Sequence, residues 1–335
     1  MPPMPPPAHS HNVRAATLAL ATLLLAAIPL AGCGTGKPVA TAKAPTTAAP
    51  GAKALPGTGK PLVVIGDKNY TEQFLLGELY SQALTARGFT VQLNRDIGPT
   101  EVTLPALYSG RLGMYPEYLS TWNSTVAGYK HRFHSTPAAL AAARRFATRR
   151  NLALLNPTPF SDTSSLATTV SYASAQGLRG IGDLRKVAQN LTLGAPPQFQ
   201  QDTPGLGALE IAYGFVPASF KPLALGDQYH ALDQGTVQAA YVNTTDGELA
   251  SGNYTLLRDP KRVFGIGQAV PVVSEKVLQQ EGPAFAATIN RVTRLLTTSQ
   301  MRQMNAAVDV YNRDPAVVAR EFLQAHGLVP PTKPS

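Results

Sequence analysis

Polar residues with the spacing of a binding site surround one predicted turn of the sequence. Lys68 lies in this turn, between an apolar strand at residues 62–65 and a helix at residues 70–87. Asn69 and Glu72 have the spacing of a capping box, which predicts that the helix begins there. The free N–H groups of that helix end and the charge of Lys68 would face the same point. The pattern favours a site for an anionic ligand group.

Two more polar residues are predicted to lie beside Lys68. Thr100 has the N-cap position of a short helix, and Tyr115 ends a short strand at residues 112–115. Strands that alternate with helices predict a parallel α/β sheet, in which ligands bind beyond the carboxyl ends of the strands. We therefore expect Lys68, Thr100 and Tyr115 to converge in one site.

No catalytic or metal-binding pattern accompanies these residues in the sequence. There are six His, but there is no His-Glu-x-x-His pattern, no cysteine cluster and no nucleophile elbow. The formal net charge is +9, yet the basic residues are dispersed, which argues against a nucleic-acid partner. We expect a binding protein without cofactor or metal rather than an enzyme. A Ser-based hydrolase is an alternative for which no Ser/His pair can be placed.

The N-terminal part of the sequence is typical of a secreted, membrane-attached protein. Arg14 precedes an apolar run at residues 15–30, which is short for a membrane span and indicates a signal peptide. The run ends Leu30-Ala31-Gly32-Cys33, which resembles a bacterial lipobox whose cysteine becomes acylated. Cys33 is the only cysteine, and a buried core cysteine is the alternative reading. Residues 34–60 are rich in Ala, Pro, Thr and Gly and predict a flexible tether.

The rest of the sequence predicts two lobes between which the chain crosses twice. Residues 156–160 and 254–262 interrupt the regular pattern and mark the crossings. From residue 270 onward the periodicity is helical. The predicted organisation is a signal peptide with lipobox at 1–33, the tether at 34–60, lobe 1 at 61–158, lobe 2 at 159–255, and a return to lobe 1 with C-terminal helices at 256–335.

Several segments, in their order and spacing, resemble one known family. They are Met114-Tyr115-Pro116-Glu117-Tyr118, Thr244-Thr245-Asp246-Gly247 and residues 65–73, 98–102, 181–184, 196–199, 212–215 and 301–305. Together they resemble the substrate-binding proteins of osmoprotectant ABC importers, of the glycine betaine, carnitine and choline type. The resemblance extends over residues 61–328, and the number of segments in the same order makes it specific.

This resemblance implies both a fold and a function. The fold is an α/β, two-lobed periplasmic-binding-protein (type II) clamshell with a C-terminal helical segment. The function is to capture a small quaternary-ammonium solute on the extracytoplasmic face of a bacterial membrane and to deliver it to an ABC permease. We expect a monomer that is attached to the membrane through its N-terminal lipid. An extracytoplasmic enzyme or sensor on the same scaffold, and a binding protein for another small polar or amino-acid-like solute, are alternatives.

Four residues match binding positions that the resemblance implies. Lys68 matches a lysine and Thr100 a threonine that contact the carboxylate of the solute. Tyr115 and Tyr229 match two tyrosines of an aromatic cage. A quaternary ammonium cannot donate hydrogen bonds, so aromatic faces are suited to hold it. Alternatively, both tyrosines pack between the lobes without contacting a ligand. Lys68, in the same way, could be an ordinary surface residue.

Other positions depart from the family pattern. Asn243 stands where an aromatic residue is common, and Tyr241 lies two residues earlier on the same strand face. Asp202 lies where relatives carry an arginine, and Leu206 and Ser164 replace further aromatic residues. These departures favour a ligand with less carboxylate and more cationic or hydroxyl character, such as choline. Tyr241 and Asn243 complete the predicted set of ligand-binding residues.

Overall fold

The computed structural model of the protein describes residues 54–202 and 204–331. Cys33, the predicted signal peptide and most of the predicted tether lie outside these residues. The strands are β1 (Leu62–Gly66), β2 (Thr90–Asn94), β3 (Met114–Tyr118), β4 (Leu152–Leu154), β5 (Ser164–Thr169), β6 (Thr192–Ala195), β7 (Ser219–Pro222), β8 (Ala239–Asn243), β9 (Tyr254–Leu256) and β10 (Ala269–Ser274).

The helices alternate with the strands in the first two thirds of the chain and then follow one another. They are α1 (Thr71–Ala86), α2 (Thr100–Tyr108), α3 (Leu119–Thr121), α4 (Thr136–Thr148), α5 (Val170–Gln176), α6 (Leu206–Tyr213), α7 (Gln228–Asp233), α8 (Glu275–Glu281), α9 (Pro283–Thr293), α10 (Thr298–Asp309) and α11 (Pro315–Ala325). Short 3₁₀ helices lie at Ile181–Lys186, Ala188–Asn190, Pro197–Gln200 and Gly247–Ser251, and a π-helical turn lies at Trp122–Val126. None of the helices between residues 54 and 331 is both long and apolar enough to cross a membrane.

Lobe 1 is built on a sheet with the strand order β2-β1-β3-β10-β4. β1 pairs in parallel with β2 and β3, whereas β10 runs antiparallel to β3 and β4. One face of the sheet packs on α1 and α9–α11 through residues such as Leu79 and Phe285. The other face packs on α2 and α4 through residues such as Leu107 and Ala143. The sheet is covered on both faces, which explains the continuous apolar run in β1.

Lobe 2 has a second sheet of the same plan, with the strand order β7-β6-β8-β5-β9. β6 pairs in parallel with β7 and β8, and β5 runs antiparallel to β8 and β9. Its faces are covered by α6 and the 3₁₀ helix at Ile181–Lys186 on one side and by α7 on the other. The carboxyl ends of the parallel strands β6 and β8 form one edge of this sheet, the position expected for a binding site.

Two connections join the lobes, between β4 and β5 and between β9 and β10. They run side by side, because Thr158 N donates to Ala269 O at 2.9 Å and Asp162 N donates to Gly267 O at 2.9 Å. A Cβ atom on Gly267 would lie 1.7 Å from Asp162 O, so only glycine permits this approach. Where one lobe ends and the other begins within these connections stays a prediction.

The last residues of the predicted tether are part of lobe 1. A turn at residues 55–60 is bonded to lobe 1, since Gly57 N donates to Arg87 O at 3.0 Å and Lys60 Nζ donates to Gln280 O at 2.9 Å. A side chain on Gly57 would collide with the backbone of Phe89. The sequence analysis assigned residues 55–60 to the tether because their Gly and Pro content resembles that of a linker.

Candidate functional site

Three of the predicted site residues converge on one buried carboxylate, that of Glu117. Lys68 Nζ forms an ion pair with Glu117 Oε1, and Thr100 Oγ1 donates to Glu117 Oε2 at 2.9 Å. Tyr115 OH donates to the same oxygen at 3.3 Å. The backbone N–H of Tyr118 donates to Glu117 Oε1 at 2.8 Å. We call these five residues the Glu117 cluster, and each of them is buried.

The fold explains why the Glu117 cluster assembles. Lys68 follows β1 and Glu117 lies near the end of the neighbouring parallel strand β3, so both reach the same edge of the sheet. Tyr115 and Glu117 are two residues apart on β3 and therefore lie on the same face. The expectation that Lys68, Thr100 and Tyr115 converge is met. Their common partner is a carboxylate of the protein itself, which the sequence analysis did not predict.

Both predicted helix caps in this region are wrong. α1 follows Tyr70 as its N-cap, without a side-chain hydrogen bond, so Asn69 and Glu72 form no capping box. Glu72 faces inward instead, where it accepts hydrogen bonds from Tyr118 OH at 2.6 Å and from Asn305 Nδ2 at 3.0 Å. Thr100 is the first residue of α2 after the N-cap Pro99. The side chains of Glu72 and Thr100 therefore bond to buried polar partners instead of capping a helix.

A second polar site, the acidic pocket, lies between the lobes and has about 470 Å³ of empty space, including part that is open to solvent. It is lined by Tyr70, Thr71, Glu72, Asp162, Asn243, Thr245, Asp246, Asn305 and Asp309. α1 and α10 of lobe 1, the connection after β4 and the end of β8 supply these residues. Among the described residues, its lining has four carboxyl groups and no Lys, Arg or His.

The carboxyl groups of the acidic pocket are hard to ionise in the ligand-free protein. Burial raises the pKa of Asp162 well above its usual range, and the neighbouring charge of Glu72 adds to this effect. Burial also raises the pKa of Glu72 and Asp246. Within the described chain, Asp162 Oδ1 and Asn305 Oδ1 are buried without a hydrogen-bond partner. Such groups are energetically costly, and a bound cation or donor would satisfy them.

Three tyrosines lie near enough to Asp162 for its charge to act on their phenols. The rings of Tyr70 and Tyr118 stack with centroids 6.3 Å apart and an interplanar angle of 27°. Tyr241 lies on the lobe 2 side, where its hydroxyl bonds to that of Ser164, two residues after Asp162. Burial raises the pKa of all three phenols, and the negative charge of Asp162 contributes in each case. The ring of Tyr70 is 39% exposed and borders the acidic pocket.

The remaining predicted residues belong to lobe 2. Asn243 lines the acidic pocket, and its backbone N–H donates to Asp246 Oδ2 at 3.0 Å. Tyr229 lies behind the pocket, because it is buried and its hydroxyl donates to Asp246 Oδ2 at 2.8 Å. Its ring packs edge-on against Tyr254 with centroids 4.8 Å apart. The structure thus brings Asn243 to the acidic pocket, places Tyr241 next to Ser164 against the core of lobe 2, and places Tyr229 in the core of lobe 2.

Lobe 1 and lobe 2 contact each other directly beside the acidic pocket. Arg302 Nε on α10 donates to Thr244 O at 2.8 Å, and Asn305 Nδ2 donates to Thr245 O at 2.8 Å. A Cβ atom on Gly247 would lie 2.6 Å from Ala306 N, so lobe 2 approaches α10 closely. The shape of the pocket therefore depends on the relative position of the lobes.

The sequence analysis missed Tyr70, Tyr118, Asp162 and Glu72 as site residues. Tyr118 lies in the same five-residue motif as Tyr115. Because side chains alternate along a strand, the motif could have indicated that the two tyrosines lie on opposite faces of β3. Asp162 lies in an irregular connection that has no periodicity to indicate its direction. Of the positions that depart from the family pattern, Asp202 is exposed and Leu206 begins α6. The role of every predicted residue in ligand binding stays a prediction.

Comparison with known proteins gives a consistent result for most of the chain. Residues 61–325 match the family model described as the substrate binding domain of ABC-type glycine betaine transport systems. A glycine-betaine-binding protein of Pseudomonas aeruginosa is 31% identical over 278 residues, which are 79% of this chain and 88% of that protein. The glycine betaine-binding protein YehZ of Escherichia coli is 29% identical over 79% of this chain and 90% of its own length.

Solved structures agree with the fold described above. A crystal structure of a glycine betaine/carnitine/choline ABC transporter protein matches with a TM-score of 0.75 and 24% identity, over 79% of this chain and 99% of that one. Ligand-free YehZ from Escherichia coli matches with a TM-score of 0.71 and 29% identity, over 80% of this chain and 99% of that one. The predicted α/β fold, a two-lobed type II periplasmic-binding-protein clamshell with a C-terminal helical segment, is confirmed.

Proposed function

Because this chain belongs to the family of substrate-binding domains of ABC-type glycine betaine transport systems, we propose that it captures a small quaternary-ammonium solute and delivers it to an ABC permease. The family resemblance predicted from the sequence is confirmed. The family is one of extracytoplasmic transport proteins and not of enzymes. The protein has no chemistry of its own in this proposal, and it needs neither cofactor nor metal.

The observation that carries the proposal is the setting of Asp162. Its Oδ1 is buried without a hydrogen-bond partner among the described residues, and it lines the acidic pocket together with Tyr70. The ring of Tyr70 stacks on that of Tyr118, and Tyr241 bonds to Ser164, two residues after Asp162. A quaternary ammonium presents only methyl groups, so aromatic faces and an opposite charge can hold it where hydrogen bonds cannot. Each aromatic face is worth about 0.5–2 kcal/mol when it is desolvated. A nearby carboxylate in a buried site adds an electrostatic attraction that water screens poorly.

The charges of the site also favour one kind of quaternary ammonium. The Glu117 cluster uses the charge of Lys68 internally, so that lysine is already balanced. The acidic pocket carries Glu72, Asp162 and Asp246 close together. A bound cationic head favours the ionised form of Asp162, and a short zwitterion such as glycine betaine would place its own carboxylate beside that charge and be repelled. We therefore propose that choline, which has a hydroxyl instead of a carboxylate, binds more tightly than glycine betaine.

Lobe closure follows from the origin of the site residues. Tyr70 and Tyr118 come from lobe 1, whereas Tyr241 and Asn243 come from lobe 2. A solute that contacts both lobes stabilises the arrangement in which they are close. Lys68, Thr100 and Tyr115 support this site by holding Glu117 and β3 in place. Tyr229 supports it from lobe 2 by holding Asp246.

The attachment to the membrane is a separate part of the proposal. Cys33 follows the lipobox-like run and would carry the lipid, leaving the binding lobes at the extracytoplasmic face as a monomer. Incorporation of labelled fatty acid into the protein and its loss in Cys33→Ala test this part. A Cys33→Ala protein that stays with the membrane fraction and keeps its label would contradict it.

Isothermal titration calorimetry of the purified protein tests the solute class. Choline, glycine betaine, carnitine and ergothioneine are titrated, with glutamine as a control that lacks a quaternary ammonium. We expect choline to bind and to bind more tightly than glycine betaine, and glutamine not to bind. Failure of all four quaternary-ammonium compounds would exclude the proposed solute class.

A further inference from the structure

One helical layer of lobe 1 carries charges of only one sign. It consists of residues 102–113 and 119–150, which form most of α2, all of α3 and α4, and the loops around them, and we call it the basic layer. The sequence of these residues contains no Asp or Glu. It contains seven Lys and Arg residues, and every one of them is exposed. They are Arg111, Lys130, Arg132, Arg144, Arg145, Arg149 and Arg150.

The fold gathers these cations on one side of lobe 1. α2 and α4 both pack on the same face of the sheet, through residues such as Leu107 and Ala143. Arg145 and Arg149 are four residues apart on α4 and at its end, so they lie on the same side of the helix. The guanidinium of Arg150 lies 3.6 Å from the centroid of the Phe146 ring. The sequence analysis treated the basic residues as dispersed, and the structure brings these seven together.

The cations of the basic layer are not balanced by acidic side chains of the described chain. None of the ion pairs between described residues includes one of them. At the border of the layer, Glu275 N donates to Asn151 O at 3.0 Å, and the exposed Lys276 that follows opposes the charge of Glu275. The layer therefore produces a positive field that extends about 8 Å into physiological salt.

The helices on the other face of the lobe 1 sheet carry charges of both signs. Arg313 forms an ion pair with Glu321 at 2.5 Å. Asp314 and Arg320 are exposed at the start of α11 and along it. The charge of one sign is thus a property of the basic layer and not of the whole surface of lobe 1.

The extent of the basic layer favours an anionic surface over a small anion. Its cations lie before, along and after α4, a helix of 13 residues that is about 20 Å long. Lys130 and Arg132 line a groove before α4, whereas the arginines of α4 lie outside that groove. The layer therefore offers many separate contacts instead of one pocket.

An exposed tyrosine accompanies the cations. Tyr108 ends α2 and is 48% exposed. Burial raises the pKa of its phenol, and the charge of Arg150 opposes this effect, so the two side chains lie near each other. Tyrosine is enriched at membrane–water interfaces, and arginine binds phosphate groups through two parallel hydrogen bonds. Such a pair suits the headgroup region of a bilayer.

The setting of the protein identifies the anionic surface that is available. The family is extracytoplasmic, and in the proposed function the chain is attached to the membrane through Cys33. Twenty residues separate Cys33 from Ala54, the first described residue, and a flexible chain of that length spans about 25 Å. Lobe 1 then stays close enough to the bilayer for anionic phospholipids to attract the basic layer.

We infer that the basic layer docks lobe 1 on the anionic phospholipid headgroups of the membrane. The inference rests on the proposed membrane attachment and goes beyond it, because it gives the attached protein an orientation. α4 and the end of α2 face the bilayer, and α9–α11 face away from it. The contact needs no pocket for one lipid, since several arginine–phosphate contacts add up and salt screens all of them.

Co-sedimentation with lipid vesicles tests the inference. Both sheets and their helices lie within residues 54–331, so a chain that begins at residue 34 keeps the described fold and lacks the signal peptide and the lipid. Vesicles of phosphatidylglycerol and phosphatidylcholine in equal amounts are compared with vesicles of phosphatidylcholine alone. We expect binding only to the anionic vesicles, and loss of binding in about 1 M salt, where the Debye length is about 3 Å.

The variant Arg145→Gln/Arg149→Gln/Arg150→Gln removes three charges from the basic layer and keeps the aliphatic part of each side chain. We expect it to bind the anionic vesicles at least about tenfold more weakly. The control has the same change of net charge at exposed positions of the opposite layer: Arg291→Gln/Arg294→Gln/Arg320→Gln. It should lose less than about threefold, because distant charges are screened. Choline affinity should be unchanged in both variants, which also shows that they fold.

The possible outcomes separate this inference from the proposed function. Absence of binding to the anionic vesicles in low salt would overturn the docking, and an acidic surface of the permease would become the partner to test. Equal losses in the two triple variants would overturn it too, since they indicate an effect of net charge alone. A protein that binds choline but not the vesicles refutes only the docking. A protein that binds the vesicles but no quaternary ammonium refutes only the proposed solute class.

Discussion

Two carboxylates of this protein, those of the buried Glu117 and the half-buried Asp162, have opposite surroundings. Glu117 accepts hydrogen bonds from Thr100, Tyr115 and the backbone of Tyr118 and forms an ion pair with Lys68. Asp162 has one oxygen without a partner within residues 54–202 and 204–331, lies next to other carboxyl groups, and has a raised pKa. The first carboxylate is balanced by the protein. The second is left for a ligand to balance.

The difference distinguishes polar groups that stabilise the fold from polar groups that are available to bind a ligand. The Glu117 cluster lies within lobe 1 and needs no solute to be satisfied, so it can hold β1, α2 and β3 in register. The acidic pocket uses residues of both lobes, and a cation or a hydrogen-bond donor from a ligand would satisfy its unpartnered oxygens. Removing a partner from the first should therefore affect stability, whereas neutralising the second should affect affinity.

The largest expected effect is the loss of stability in Glu117→Gln. This change leaves the buried ammonium of Lys68 without an opposite charge, and breaking a buried pair in this way costs about 3–5 kcal/mol of unfolding free energy. Urea denaturation followed by circular dichroism measures it. Glu101→Gln, which alters an exposed glutamate at the start of α2, should change the free energy by less than about 0.5 kcal/mol. Equal stabilities of the two variants would show that the Glu117 cluster is not structural.

Asp162→Asn should have the next largest effect, on affinity rather than stability. The substitution keeps the shape of the side chain but removes the charge that faces the solute. We expect choline affinity in calorimetry to fall about 30-fold or more, since removing one partner of a buried charge pair costs about 2 kcal/mol or more. Asp202→Asn, at an exposed position, is the control and should bind like the wild type. Similar losses in both variants would contradict a specific role for Asp162.

Tyr70→Ala should weaken choline binding by about tenfold, because one aromatic face of the site is lost. Tyr70→Phe keeps that face and should bind like the wild type. Tyr108→Ala is a suitable control, since this tyrosine of α2 is 48% exposed and does not line the acidic pocket. Calorimetry measures all three. An equal loss in Tyr70→Phe would indicate that the hydroxyl, rather than the ring face, binds the solute.

The smallest expected effect is a dependence of binding on pH. The pKa values of Glu72 and Asp162 are raised by burial, so ionising them disfavours the ligand-free fold. Their contribution to stability is present at low pH and is lost as pH rises through the raised values. A bound cation favours the ionised forms, so choline affinity should increase a few-fold between about pH 5 and about pH 8. Affinity that falls over this interval would contradict the account.

The sequence was sufficient for the fold and for the convergence of three polar residues. Lys68, Thr100 and Tyr115 could be brought together because each lies at a strand end or helix start, where α/β topology places ligands. The caps at Asn69 and Thr100 were wrong, because local spacing does not reveal distant partners such as Asn305 or Glu117. Tertiary contacts decided the direction of these side chains.

The opposite side of the site could not be predicted in the same way. Asp162 and Gly267 lie in irregular connections that are distant in sequence, and their approach depends on the absence of a Cβ atom at Gly267. Tyr229 matches a cage tyrosine in the family pattern, yet in the structure its ring packs in lobe 2 against Tyr254. The basic loop at residues 129–133 lines a cavity together with residues 263–266, and only the fold brings these distant segments together.

The most direct test of unbalanced charge at Asp162 compares choline with its uncharged carbon analogue, in which a carbon atom replaces the nitrogen. The two compounds have the same shape, so their affinity ratio reports only the value of the positive charge. We predict that the wild type prefers choline by at least about tenfold and that Asp162→Asn loses most of this preference. A preference that is equally large in Asp162→Asn would contradict the account.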